Sequence, residues 1–271
     1  MTRAQLDFAW RTDRGNVRGR NEDSVAVDEE TGVVVIADGV GGASSGNVAS
    51  HIATEEICKR FVRDPPSRVE PTPASLLAQA AVDEANCAIL AHARQRPDCA
   101  GMGTTVVVGY FGNAWLAYGH VGDSRLYRLR DRRLVQLTRD HSFIQEVVDQ
   151  GFFPNLSEAR RYGINSHVLT RALGSVLHVV AETSITQLAE GDVYLFCTDG
   201  LTGMVPDDEL QSMLSSPPGD LGRAAEELVH RACANGGVDN ITVVLARVRA
   251  LGDQAPLPSA PPGPHVDNPR S

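Results

Sequence analysis

The sequence predicts an α+β domain built in layers, and three observations carry that expectation. Short β-branched runs follow one another through tight turns, which is antiparallel hairpin behaviour. Helical patterns come in segregated groups instead of alternating one for one with strands, which argues against a βαβ array. The 271 residues, 42% of them hydrophobic, suffice for the core of one large domain.

Along the chain, strands are read at 6–10 (LDFAW), 24–28 (SVAVD) and 32–38 (GVVVIAD). A helix is expected from about Asn47 to Arg63, with Val48, Ile52, Ile57, Phe61 and Val62 on or near one face. The segment DPPSRVEPTP turns the chain into a second helix, for which Ser75 is the candidate N-cap. Strands follow at 104–111, 114–121 and 125–130, joined by the turns FGNA and RDRR. Short helices are expected around 142–150 and 157–161, then strands at 178–188 and 193–200. Helices at 207–214 and 219–234 precede a last strand at 240–248. The tail from Ala255 holds six of the 15 prolines and reads as a solvated, disordered or polyproline-like segment. The expected division is therefore a domain over 1–250 and a tail over 251–271.

Charge narrows the partners. Against 25 Lys and Arg stand 34 Asp and Glu, a net charge of −9, so binding to nucleic acid or an anionic membrane through bulk charge is not expected. The N-terminus MTRAQLDFAW has no apolar signal region and no stretch approaches 18 apolar residues, so a cytoplasmic protein is expected. The five cysteines, at 58, 87, 99, 197 and 233, form no C-x-x-C pair and are odd in number. They are read as small buried hydrophobes in a reducing compartment.

The chemistry gathers in the acids. Asp38 ends the run VVVIAD and is followed by glycines at 39, 41, 42 and 46. Glu22 and Asp23 precede one strand, Asp123 sits between two, Asp199-Gly200 follows LFCT, and Asp239 precedes the last strand. A lone acid at a strand end is ordinarily a turn former or cap. Six in one setting are different: if their tips converge, the carboxylates repel unless a cation neutralises them. All-oxygen ligands select Mg²⁺ or Mn²⁺, and glycine beside each acid is read as leaving room for water and substrate oxygens.

The ordered set VRGRNEDS, IADGVGG, GMGTTVVV, HVGDSRLY, LTRDHS, LTRALG, LFCTDGL and DNITVV resembles the metal-dependent protein phosphatases of type 2C, in the compact bacterial spacing, over about residues 6–249. That resemblance implies a four-layer α-β-β-α sandwich, two antiparallel sheets flanked by helix pairs, with the metal centre at one end. It implies two tightly bound Mn²⁺ or Mg²⁺ ions and a third, weaker one. By position Asp38 matches the ligand shared by two ions, with the carbonyl of Gly39, and Asp199 and Asp239 match the other ligands of the first ion. Glu22 matches a ligand of the second, Asp123 with Asp199 the third site, and Asp23 and Asn240 a supporting shell. Arg18 matches the arginine that grips the substrate phosphate. The implied activity is hydrolysis of phosphoserine and phosphothreonine by in-line attack of a water bridging two ions, whose pKa they lower. Implied partners are phosphorylated proteins and an opposing serine/threonine kinase, and a monomer is expected.

Two departures bear on substrate preference. Many relatives carry histidine after the Asp-Gly, where this chain has Val40; bacterial relatives often carry His and Glu where it has Ala43 and Asn47. His141, in RDHS, is given a structural role near the flap. Rival phosphatase classes fail on their motifs: there is no C-x₅-R, no D-x-D and no G-N-H-[DE], and GVGGASSG lacks the G-K-[ST] of a P-loop. The alternative in another class is a catalytically silent binding or regulatory relative. Such relatives lose metal carboxylates, and this chain keeps them.

Overall fold

The computed structural model describes residues 3–41, 45–165, 168–215 and 220–253. Ala43 and the proline-rich tail lie outside the described residues.

Eleven strands form two antiparallel sheets among the described residues. The first orders β1 (Gln5–Asp13), β11 (Ile241–Ala250), β10 (Val193–Cys197), β7 (Arg125–Arg130) and β8 (Arg133–Gln136). The second orders β2 (Asp23–Asp28), β3 (Val33–Val40), β5 (Val106–Phe111), β6 (Trp115–Val121) and β9 (Glu182–Gln187), with the two-residue β4 (Gly103–Thr104) on β3. Helices α1 (Gly46–Arg63) and α2 (Pro71–Gln95) cover the second sheet. Helices α5 (Asp199–Thr202), α6 (Asp207–Ser215) and α7 (Leu221–Ala234) cover the first. Short helices α3 (Phe143–Asp149) and α4 (Leu156–Arg161) lie between β8 and β9.

The layering follows from strands whose two faces are both apolar. On β3, Val34 and Ile36 face the sandwich interior, against Phe196 and Val244 of the other sheet. Val33, Val35 and Ala37 face the other way, onto Ala53, Ile57 and Phe61 of α1. A strand covered on both sides reads as an unbroken apolar run, as VVVIA does. On the far side Leu195, Val243 and Leu245 pack on Leu210, Leu228 and Ala232. The four layers are the α-β-β-α sandwich expected.

Details depart from expectation. Helix α2 begins at Pro71, with Glu70 as N-cap, so Ser75 is inside it. The first turn has no use for an amide hydrogen, and Pro71 starts the helix with φ already set. Val62 is 47% exposed and leaves the buried face of α1. Strand β10 stops at Cys197, and Asp199 opens α5 instead of ending a strand. The β7–β8 hairpin turns on Asp131 and Arg132, both with positive φ, the primed turn that matches strand twist. All five cysteines are free, but only Cys99 and Cys197 are buried; Cys87 is exposed on α2 and Cys58 and Cys233 are half-buried.

Candidate metal centre and phosphate site

Antiparallel pairing brings the acids to one end. Strand β3 ends where β2, β5 and β11 begin, and β6 and β10 end there too. Glu22, Asp38, Gly39, Asp123, Asp199, Asp239 and Asn240 consequently line a single cleft of about 760 Å³, with Arg18 and Arg20 at its wall. Asp23 lies behind it, directly across from Asp38 in the β2–β3 register. Two like charges opposed across strands destabilise a sheet, so this pairing asks for compensation.

The backbone around the acids is fixed by a row of hydroxyls and amides. The Asp38 amide donates to Thr105 Oγ1 at 3.0 Å, and its carbonyl accepts from the Thr105 amide at 2.9 Å and Thr104 Oγ1 at 2.8 Å. Asp23 Oδ2 accepts from Thr198 Oγ1 at 2.9 Å and Thr242 Oγ1 at 2.7 Å. Its Oδ1 is buried with no hydrogen-bond partner. Asn240 ties the rim: its Oδ1 accepts from the Glu22 amide at 2.8 Å, and its Nδ2 donates to the carbonyls of Arg14 and Arg20 at 2.9 and 3.0 Å. Arg18 reaches in from β1–β2 and donates to Asp239 Oδ2 at 2.6 Å, while the Asn240 amide donates to Asp239 Oδ1 at 2.8 Å.

The electrostatics are those of a site built for cations. Loss of solvent, then the charges of Asp23, Asp199, Asp123 and Asp239, hold Asp38 well above the usual carboxylate range. Burial pushes Asp123 up to about 7, helped by Asp199 and Asp140. Burial also takes Asp23 to about 7 against the pull of its two threonine donors. Crowded oxygens, an orphaned buried carboxylate atom and acids costly to ionise together fit hard divalent ions of the Mg²⁺ or Mn²⁺ kind.

The glycines need a different explanation from the one their sequence position invites. A Cβ on Gly39 would stand 2.3 Å from the Gly46 carbonyl oxygen, and one on Gly200 would stand 1.9 Å from that of Asn240. They let backbone pack on backbone beneath the acids, not substrate approach above them. Side chains that the motif reading passed over are Thr105, Thr198 and Thr242 below the cleft and Arg20, Leu169 and Val238 on its wall. Of the departures, Val40 lines the cleft and Asn47 sits in the first turn of α1.

Fold and site thus define a class: a four-layer α-β-β-α sandwich whose one end presents a cluster of oxygen donors for divalent cations. The sequence profile described as Protein phosphatase 2C matches residues 16–234, and the chain belongs to that family. It is 37% identical over 246 residues to the serine/threonine protein phosphatase PstP of Mycobacterium tuberculosis, covering 90% of this chain and 45% of that protein. The chain thus spans about half the length of that relative. It is 34% identical over 239 residues to the serine/threonine phosphatase stp of Listeria monocytogenes, covering 87% of this chain and 93% of that one. The crystal structure of the PstP catalytic domain in complex with two manganese ions superposes with a TM-score of 0.79 at 36% identity, over 90% of this chain and 99% of that chain.

Proposed function

We propose that this protein is a Mn²⁺- or Mg²⁺-dependent protein serine/threonine phosphatase. The observation that carries the reading is the convergence of Glu22, Asp38, Asp123, Asp199 and Asp239 on one cleft with Arg18 at its wall. Asp38 and the Gly39 carbonyl would hold a pair of ions, with Asp199 and Asp239 on the first and Glu22 on the second. Asp123, with Asp199, would hold a weaker third. When bound, such ions supply Lewis-acid stabilisation of the phosphoryl group and a water acidic enough to attack phosphorus at neutral pH.

The chain's own residues do the rest. Arg18 offers a planar fork to two phosphoryl oxygens. Asp23 and Asn240 keep the ligand-bearing backbone in place through their threonine and carbonyl partners. Val40 has no proton to give, so the leaving serine or threonine alkoxide takes its proton from water. The substrates are phosphoserine and phosphothreonine proteins, with a kinase of the same specificity as counterpart. The chain acts as a monomer in the cytoplasm, through a catalytic domain that ends near residue 250. No helix of the described residues is long and apolar enough to cross a membrane.

The test is direct. Purified protein with Mn²⁺ should hydrolyse p-nitrophenyl phosphate and a phosphothreonine peptide, and EDTA should abolish both. Turnover that survives exhaustive chelation ends the reading.

A further inference from the structure

We propose that the dipeptide Asp140–His141 is a bracket that aims the Asp123 carboxylate, with His141 as its positioning residue. This inference rests on the reading of Asp123 as a ligand of the weaker third ion.

Asp123 stands in the short loop between β6 and β7, and the residues on either side of it are gripped from one place. Before it, Gly122 is held twice by His141. The His141 amide donates to the Gly122 carbonyl at 2.9 Å, and the Gly122 amide donates to His141 Nδ1 at 3.2 Å. After it, Arg125 donates through Nε to Asp140 Oδ1 at 2.8 Å and through a terminal nitrogen to Oδ2 at 2.6 Å. Between them Ser124 Oγ shares a 2.7 Å hydrogen bond with Thr105 Oγ1, the hydroxyl that also receives the Asp38 amide. Gly122 has φ of +103°, a backbone state with little intrinsic preference to keep it, so its orientation depends on these tethers.

The ring is set for this role. Because Nδ1 accepts from the Gly122 amide, the imidazole proton lies on Nε2, which faces Glu182 Oε2 at 3.4 Å. Burial, the stacked His120 ring and Arg171 pull His141 down to about 4, so the Nδ1 lone pair persists at neutral pH. His120 in turn donates from Nε2 to the Arg139 carbonyl at 2.7 Å and backs the ring at a centroid distance of 4.6 Å. His120, His141 and Glu182 place ligand-type atoms within 4.8 Å of one another, yet they make no cation site. The Nε2 that would have to bind carries the proton, and the Arg171 guanidinium stands 3.4 Å from it.

Two substitutions separate the bracket from mere packing. In His141→Asn the amide oxygen stands where Nδ1 stands and can accept from Gly122; in His141→Gln the amide stands where Nε2 stands and Gly122 loses its acceptor. The measurement is Mn²⁺ binding to the full chain by equilibrium dialysis, with free ion read by electron paramagnetic resonance and Asp123→Asn as reference. His141→Gln should weaken the third Mn²⁺ by about 10- to 100-fold, as loss of a ligand-orienting partner does. His141→Asn should bind it close to wild type, and both should keep the two tight ions and the melting temperature. If His141→Gln binds three ions like wild type, or if both variants weaken equally, the bracket is wrong. If Asp123→Asn itself keeps the third ion, the reading of Asp123 fails and the inference goes with it.

Discussion

Two groups of enclosed acids in this molecule are treated in opposite ways. Asp192, whose side chain is 1% exposed, accepts from Arg130 at 2.6 and 2.7 Å, from Tyr194 at 3.1 Å and from the Ala189 amide at 2.9 Å. Asp38, at the cleft, is raised in pKa by burial and then by the charges of Asp23, Asp199, Asp123 and Asp239 around it, none of which stabilises its charge. The chain can plainly bring arginines to its acids. At the cleft Arg18 pairs with Asp239 only from a rim, where its side chain stays 56% exposed. Acids that the fold satisfies are structural; acids that it crowds and makes costly to ionise await something from outside.

The largest effect should come from Asp38→Asn. If Asp38 holds metal as proposed, its loss should cost turnover at least the ~10- to 100-fold seen for changes one shell further out. The metal-free protein should nonetheless melt no lower than wild type, because a neutral amide relieves repulsion with Asp23, across the β2–β3 register. Calorimetry without metal decides: a clear fall in melting temperature would make Asp38 a structural acid like Asp192.

Asp192→Ala should do the reverse. It strands the Ala189 amide and leaves Arg130 and the Tyr194 hydroxyl with the Gln187 carbonyl, and breaking an enclosed ion pair from one side costs about 3 kcal/mol. At this size that corresponds to a fall of roughly 6–12 °C in melting temperature. Turnover per folded molecule and Mn²⁺ binding should not change. A loss of Mn²⁺ affinity would show that the two groups are not separate.

How much of this could be seen beforehand depends on the distance over which each residue acts. β3 was legible because both of its faces are covered, so its apolar run is local information. β8 was not: RLVQ is short, half-exposed and preceded by the charged run RDR, and its place comes from pairing with β7. The cleft acids were legible because each sits at or just beyond a strand end beside Gly or Asn, and the motif order then implied their meeting. Thr198 and Thr242 serve Asp23 across 175 and 219 residues of chain, and nothing in CTDG or NITVV announces that. The glycines misled for a related reason, since the atoms that exclude a Cβ at Gly39 and Gly200 belong to other segments.

A pH series on metal-free protein sharpens the comparison with a smaller effect. Asp23 and Asp123 rise from 3.8 to about 7 in the folded state. A carboxyl whose folded value is raised contributes stability that is fully present below the unfolded value and lost as pH climbs through the folded one. Melting temperature without metal should therefore fall between about pH 4 and 7 and level off above, and Mn²⁺ at pH 8 should restore it. His141, held at about 4, works the other way below its unfolded value, one group against several. Asp23→Asn combined with Asp123→Asn should flatten the slope, and an unaltered slope would place its origin elsewhere.

The smallest effect, and the one that most tests the boundary between the two groups, concerns Arg18. Its 2.6 Å contact with Asp239 admits two accounts: a counter-charge that holds the acid, as Arg130 holds Asp192, or a phosphate-binding fork resting on its neighbour. Exposure favours the second, because a pair this open to solvent is worth at most about 1 kcal/mol. Arg18→Ala should then leave the melting temperature and Mn²⁺ titration near wild type and raise KM for a phosphothreonine peptide by about tenfold, the loss of one charge-assisted contact. Asp239→Ala should instead weaken Mn²⁺ binding and lower kcat, with partial recovery at high Mn²⁺. Should Arg18→Ala lose metal as badly as Asp239→Ala, Arg18 belongs with Arg130, and the phosphate must be gripped by another group on the cleft wall, of which Arg20 is the first to try.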